Sequence, residues 1–256
     1  MDNYINILGF KIYYYSICIL LGVISSSILL IRNSKRLNVS KDKMFDIIFY
    51  TLIFGIIGAR VYYVLFNIDY YKDNIVEMFY IWNGGLAIHG GIIGGFLFLY
   101  YYTKNNNIDF IKLLDLVSVV LLLGQAVGRW GNFFNKEAYG SVVSIGFLKR
   151  FIPDFIINRM YINNNYHHPT FLYESFLCFI GFIILYILYK KKMLSDGKYV
   201  GLYLIYYGIV RIFIEILRVD SLMFLNIKFA IVVSLCFIIV GIYLLFRRRR
   251  IWTKKL

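Results

Sequence analysis

Apolar residues in this chain fall in long runs separated by short polar stretches, with no strict alternation. Seven runs approach the roughly 20 apolar residues that a helix needs to cross a bilayer. They lie near Ile12 to Ile31, Phe45 to Phe66, Leu86 to Tyr102, Leu113 to Gly131, Thr170 to Tyr189, Tyr199 to Leu217 and Phe229 to Phe246. The third is short and rich in glycine. The first follows a single lysine and has no small-residue cleavage site, so it reads as a retained span and not a signal peptide. The pattern predicts an all-α integral membrane protein with about seven transmembrane helices. Residues 1–256 are expected to form a single polytopic membrane domain. Residues 136–169 are mixed in polarity and too long for a simple turn; a loop of that length is usually functional or partly structured. They are expected to form a small extracytoplasmic cap. No internal repeat is visible.

Composition narrows the class further. Of the 256 residues, 60% are apolar and 16% charged, against about 25% charged in a typical soluble domain. A disordered chain needs low hydrophobicity, and three cysteines are too few for a disulfide scaffold. Cys18, Cys178 and Cys236 lie in apolar spans and read as small packing residues. The net charge of +14 does not call for nucleic acid. In one set of loops stand 17 Lys and Arg, against 8 in the opposite set. That bias predicts the N-terminus outside and the C-terminus cytoplasmic. The run Arg247 to Arg250 is either an anchor on anionic lipid or only part of this orientation signal. Three basic residues remain within or at the edge of spans: Arg60, Arg129 and Arg211.

An ionisable side chain at membrane depth costs a few kcal/mol and so asks for a reason. His89 sits among Gly84, Gly85, Gly90, Gly91, Gly94 and Gly95, where missing side chains let a ligand or a neighbouring backbone come close. It is either a reachable functional group or a satisfied buried histidine between packed helices. The segment Gly128-Arg129-Trp130-Gly131-Asn132-Phe133-Phe134-Asn135-Lys136-Glu137 leads to Tyr139 and Gly140. Arg129 and Asn132 share a face if helical, and a guanidinium fork suits phosphate oxygens. Capping asparagines and an Arg–Glu pair would also account for this block. His167-His168-Pro169-Thr170 opens a span into which Glu174 enters, either to pair with an arginine of a neighbouring helix or to act directly. Tyr207, Arg211, Glu215 and Arg218 follow at helical spacing and form one polar stripe, beyond what a self-neutralising Arg211–Glu215 pair explains. Asp46 and Asp115 near span starts suit caps or dipole partners. Tyr13, Tyr14 and Tyr15 suit an interfacial aromatic belt. Together these residues describe a site for an anionic headgroup near the outer membrane edge. Neither a metal-spaced Cys/His cluster nor a phosphate-cradling loop is present.

The Gly84-Gly85…His89-Gly90-Gly91 run, the Gly128 to Glu137 block, His168-Pro169 before Tyr173-Glu174 and the Tyr207/Arg211/Glu215/Arg218 stripe resemble the bacterial prolipoprotein diacylglyceryl transferases. The resemblance runs from about Tyr15 to Asp220. Phe171 and Ser16 depart from residues usual in that family, where Gln and Gly stand. The resemblance implies transfer of the diacylglyceryl group of phosphatidylglycerol to the lipobox cysteine thiol of a preprolipoprotein. A thioether forms, glycerol phosphate leaves, and no metal or organic cofactor takes part. It implies catalytic roles for His89, Arg129, Arg211 and Tyr15 (or Tyr14), in the cytoplasmic membrane of a bacterium with the site toward the outer face. Arg129, Asn132, Asn135, Glu137, Gly140, Tyr207, Glu215 and Arg218 are then expected to bind phosphatidylglycerol. The alternative is a transporter or flippase for an anionic lipid or small anion, since intramembrane charges mark such pathways too.

Overall fold

The computed structural model describes residues 3–7, 10–221, 223–224 and 227–247. Arg248 to Arg250, most of the expected basic anchor, lie outside the described residues. The chain opens with a hairpin of β1 (Tyr4–Ile7) and β2 (Phe10–Tyr13), in which Asn6 pairs with Lys11. The helices α1 (Tyr14–Asn33), α2 (Lys41–Phe66), the single turn α3 (Ile68–Tyr71) and α4 (Ile88–Asn105) follow. Next come α5 (Phe110–Gly128) and, after a break at Arg129, α6 (Trp130–Asn135). Two short helices, α7 (Ile145–Leu148) and α8 (Asp154–Arg159), precede a hairpin of β3 (Tyr161–Ile162) and β4 (Asn165–Tyr166). The chain continues with α9 (Thr170–Lys190), α10 (Lys198–Leu217), a last hairpin of β5 (Met223–Phe224) and β6 (Ile227–Lys228), and α11 (Phe229–Phe246).

Each of the seven apolar runs is a helix. Six of them (α1, α2, α5 continued by α6, α9, α10 and α11) are long and apolar enough to cross a membrane. The seventh, α4, has 18 residues. Its four glycines, His89, three tyrosines and polar end dilute the apolar character, and it does not join those six.

The fold divides into two compact units, residues 30–113 and residues 1–29 with 114–256. In the smaller unit α2 starts at the N-cap Ser40, whose side chain accepts from the Lys43 N–H at 3.2 Å. Asp46 lies well inside the helix, beyond the cap position. Helices α2 and α4 meet along glycines. A Cβ on Gly58 would stand 3.0 Å from the Gly94 Cα, so only glycine allows the backbones this close.

In the larger unit Val119, Leu122 and Ala126 of α5 pack with Cys178 and Leu185 of α9 and with Tyr199 and Tyr203 of α10. Cys236 lies on the exposed face of α11. The residue before α10 is Gly197, which has no side chain to cap the helix. Asp115, 2% exposed on α5, supplies the missing acceptor: its carboxylate receives the Gly197 N–H at 2.5 Å and the Val200 N–H at 3.0 Å. It caps α10 rather than its own helix.

Residues 136–169 are packed rather than loose. Asn163 and Asn164 at φ 49° and 62° make the tight β3–β4 turn. Ile156 and Met160 bury against Phe171, with Trp130 and Phe133 alongside. Arg159 reinforces this packing, donating to the Phe133 carbonyl at 3.3 Å, to the Phe134 carbonyl and to Asn3 Oδ1 at 2.7 Å.

Asp115→Ala strips two backbone donors at a buried helix start. A loss of about 1–3 kcal/mol is expected, read as a lowered melting temperature in detergent. Unchanged melting would refute the cap.

Candidate active site

The densest chemistry lies in the larger unit. Arg129 sits at the break between α5 and α6. Its Nη2 stands 2.7 Å from Glu174 Oε1 and donates to Tyr207 Oη at 3.3 Å. Glu174, five residues into α9, is 2% exposed. Its second oxygen, Oε2, accepts from Arg211 Nη1 at 3.3 Å, and Tyr207 Oη donates to Oε1 at 3.3 Å. Arg211 Nη2 lies 2.8 Å from Glu215 Oε2, one turn further along α10. That approach is an ion pair by distance only; its angles are not those of a hydrogen bond, and Glu215 Oε2 is buried without one. A single carboxylate of α9 thus joins two guanidiniums and a phenol from two other stretches of chain. Behind it, Gln125 Nε2 donates to Tyr203 Oη at 3.0 Å, and the Tyr203 and Tyr207 rings stack at 5.9 Å.

Among the described residues, the two arginines keep unused donors. Arg129 is engaged through Nη2, leaving its Nε and Nη1 edge, and Arg211 through Nη1 and Nη2, leaving Nε. Their side chains are 23% and 16% exposed, against 2% for both carboxylates. The arginines are therefore the more exposed members of the cluster.

A second layer stitches residues 137–141 to the ends of α9 and α10. Gly140 N–H donates to the His168 carbonyl at 2.9 Å and Ser141 N–H to the Leu217 carbonyl at 3.0 Å. The Gly140 carbonyl accepts from His167 Nδ1 at 2.7 Å, which places that ring proton on Nδ1. A Cβ on Gly140 would stand 2.7 Å from the His168 Cβ. Thr170 Oγ1 donates to the Ala138 carbonyl. Asp220 accepts the Ala138 N–H at 2.8 Å and Arg218 Nε at 3.0 Å. Lys228 Nζ caps the end of α10 through the Glu215 and Arg218 carbonyls at 2.6 and 2.7 Å.

Several expectations change here. The polar stripe is helical only as far as Glu215: α10 ends at Leu217, and Arg218 is extended at ψ 142°. Arg218 faces Asp220 and the Gly140 backbone instead of continuing the stripe. Arg129 stands between α5 and α6 but keeps helical dihedrals at φ −61° and ψ −23°, so it and Asn132 remain on one continuous span. Asn132 is buried, and Asn135 Nδ2 donates to Glu137 Oε1 at 3.4 Å. Tyr15 and Tyr14 do more than line an interface. The Tyr15 ring lies over Gly131, where a Cβ would stand 2.7 Å from it. Tyr14 stacks on Phe134 at 4.9 Å.

Of the two alternatives for Glu174, the structure shows the pairing with arginines of neighbouring helices, and with two of them rather than one. The signal was present: a lone carboxylate inside an apolar run is too costly to stand unpaired. The expectation missed Arg159, Asp220 and Lys228, whose partners are mostly backbone groups that no spacing rule names.

In the smaller unit His89 is the second residue of α4 and is exposed, with its ring 6.2 Å from that of Tyr62. An apolar groove of about 580 Å³ runs along the same α2–α4 pair, lined by Ile57, Val61, Leu65, Ile93 and Leu97 among others. Arg60 proves different from Arg129 and Arg211: among the described residues, its hydrogen bonds end on backbone carbonyls.

Six helices long and apolar enough to cross a membrane define a polytopic membrane protein, whose larger unit holds an arginine–glutamate network and whose smaller unit carries a histidine at a glycine-lined helix start. Residues 3–247 match the family model for prolipoprotein diacylglyceryl transferase. A relative from Halalkalibacterium halodurans is 46% identical over 94% of this chain and 83% of its own length. One from Clostridium novyi is 46% identical over 94% and 93%, and one from Staphylococcus haemolyticus 44% identical over 96% and 89%. All three are named phosphatidylglycerol–prolipoprotein diacylglyceryl transferase. The chain belongs to the prolipoprotein diacylglyceryl transferase family. It is a multi-pass membrane protein.

Two outcomes follow from this geometry. Glu174→Ala leaves two buried guanidiniums without their shared counter-charge, so a loss of about 3–5 kcal/mol is expected. It is measured by thermal unfolding in lipid nanodiscs, and a loss under about 1 kcal/mol would contradict the linking role. His168 lies outside the spans, and its pKa is held below the usual histidine value by burial, with His167 adding to the effect. Its folded form therefore favours the neutral ring. The stability this provides is complete above about pH 6.5 and is lost as pH falls below that value. His168→Gln should flatten the acid-side decline in melting temperature; an unchanged slope would refute the assignment.

Proposed function

We propose that this chain moves the diacylglyceryl group of phosphatidylglycerol onto the lipobox cysteine thiol of a preprolipoprotein. The observation that carries the reading is the Arg129–Glu174–Arg211 network, whose arginines are more exposed than the carboxylate between them. The three relatives' names and the family match support the substrate pair.

On this reading the thiol sulfur attacks the glycerol carbon that carries the phosphate. The S–C bond forms and the C–O bond breaks, with its electron pair leaving on glycerol phosphate. The thiol proton goes to a base, for which His89 is the candidate, since imidazole titrates near neutrality. The free edges of Arg129 and Arg211 bind the phosphate and stabilise the charge that grows as the ester departs. Tyr207 and Glu215 hold these guanidiniums. Asn132, Asn135 and Glu137 serve the glycerol hydroxyls. Gly140 and Arg218 act through the backbone junction that seats the segment, and Tyr15 fixes its Gly131 turn. The groove along α2 and α4 suits an acyl chain.

The proposed setting is the bacterial cytoplasmic membrane, with seven crossings, the N-terminus outside and residues 136–169 as an extracytoplasmic cap over the site. A reporter that works only outside the membrane, fused after Leu256, is expected to stay silent; activity there would overturn the topology.

Purified protein incubated with phosphatidylglycerol and a lipobox peptide should give the peptide a mass gain of one diacylglyceryl group. Arg129→Lys should lower the rate by about 10²-fold or more, because a point charge cannot replace the fork. No mass gain from the wild type, together with lipid movement across vesicles, would favour a flippase instead.

A further inference from the structure

The loop between α3 and α4 leads into the helix that carries His89, yet it buries little. Ile75, Val76, Phe79, Trp82 and Leu86 are all exposed. A polar cavity of about 390 Å³ opens on its inner side, lined by Arg60, Tyr63, Tyr70, Tyr71 and Glu77 among others. Apolar packing therefore does not hold this loop in place.

One side chain does. Arg60 of α2 is 7% exposed. Its Nη2 donates to the Glu77 carbonyl at 2.6 Å and its Nε to the Met78 carbonyl at 2.9 Å. Its Nη1 donates to the Gly84 and Gly85 carbonyls at 2.8 and 3.1 Å. The planar fork thus grips both ends of residues 77–85. The neighbouring residue completes the hold: the Ala59 carbonyl accepts the Ala87 N–H at 3.0 Å. Ala87 is the N-cap of α4, two residues before His89. Gly85 fits the clasp through its lack of a side chain. It stands at φ 70°, and a Cβ there would lie 2.6 Å from Arg60 Nη1 and 2.7 Å from the Tyr63 ring.

We infer that Arg60 is a positioning residue for His89: its guanidinium fixes the 77–85 loop, and through it the start of α4 and the direction from which the imidazole meets substrate. The inference rests on the proposed role of His89. A lysine keeps the charge but cannot span two pairs of carbonyls from one planar group. A displacement of about 1 Å of a reacting group can cost about 10²-fold in rate.

The test uses the full chain in phosphatidylglycerol nanodiscs, as wild type, Arg60→Lys and Gly85→Ala. The second variant leaves the charge intact and blocks the clasp from the loop side. Two readouts are taken on the folded fraction. The first is kcat and KM for transfer to a lipobox peptide. The second is the rate at which diethylpyrocarbonate modifies His89, followed by mass spectrometry of its peptide with His167 and His168 as internal references. Both variants are expected to lower kcat by about 10²-fold with KM little changed. Both should alter the His89 modification rate severalfold while the references stay constant. Wild-type modification rates at His89 in both variants would overturn the inference, whether or not total activity falls with the amount of folded protein. Absence of transfer by the wild type would count against the enzymatic reading, while the modification rates would still decide whether Arg60 positions the imidazole.

Discussion

The larger unit depends on one carboxylate. Glu174 meets Arg129 at 2.7 Å, Arg211 at 3.3 Å and the Tyr207 hydroxyl at 3.3 Å, and it is almost fully buried. Opposite charges at such distances attract far more strongly in a low-dielectric interior than in water, and desolvation takes much of that gain back. The arrangement is tolerable because each member has several partners. Its consequence is geometric. The α5–α6 break, α9 and α10 must keep one register, since a shift of any of them strands a charge. Apolar helices have many nearly equivalent packings, and a shared buried carboxylate selects one.

The same arrangement prepares the arginines for an anion. Held on one edge by Glu174 and Glu215, the guanidiniums retain their orientation without substrate, so little reorganisation is needed when a phosphate arrives. Two arginines and two glutamates sum to zero formal charge. In the proposed reaction a phosphodiester carrying one negative charge becomes a phosphate monoester that can carry two. A formally neutral cluster whose arginines are its more exposed members holds the diester only moderately and gains more from the departing ester. Binding that grows along the reaction path raises kcat rather than only lowering KM.

Much of the architecture was legible in the sequence because membrane spans are read from runs of apolar residues. All seven expected helices exist, most with ends within a few residues of the expected ones. The least apolar run, at α4, is also the one that falls short of the six membrane-length helices. The residues of the site were legible as types that have no business in lipid: Arg129, Glu174, Arg211 and Glu215 each stood out by cost. Their pairing was legible only as open alternatives, Arg211 with Glu215 and Glu174 with an arginine of a neighbouring helix, because periodicity relates residues along one helix and does not name the partner on another. The Tyr207 to Arg218 stripe shows the limit from the other side. Its spacing presumes a helix that runs on, and α10 stops at Leu217. Asp115 shows the same limit, since near a span start it suits a cap or a dipole partner, and it serves a glycine-started helix 82 residues away in sequence.

Arg60, Arg129 and Arg211 formed one class in the sequence, the basic residues that orientation does not explain. Their partners divide them. An arginine paired with carbonyls spends its donors on the backbone and keeps its charge only as a by-product. Arg60 does this four times, and what it secures is a loop. An arginine paired with a carboxylate can be held firmly through one edge while the other remains for a ligand. Arg129 and Arg211 are of this kind. Burial alone therefore does not separate a structural guanidinium from one placed for chemistry, since Arg60 is the most buried of the three. The chemical type of the acceptor does, and on the proposed reading it separates Arg60, as support of His89, from the two arginines that meet the phosphate.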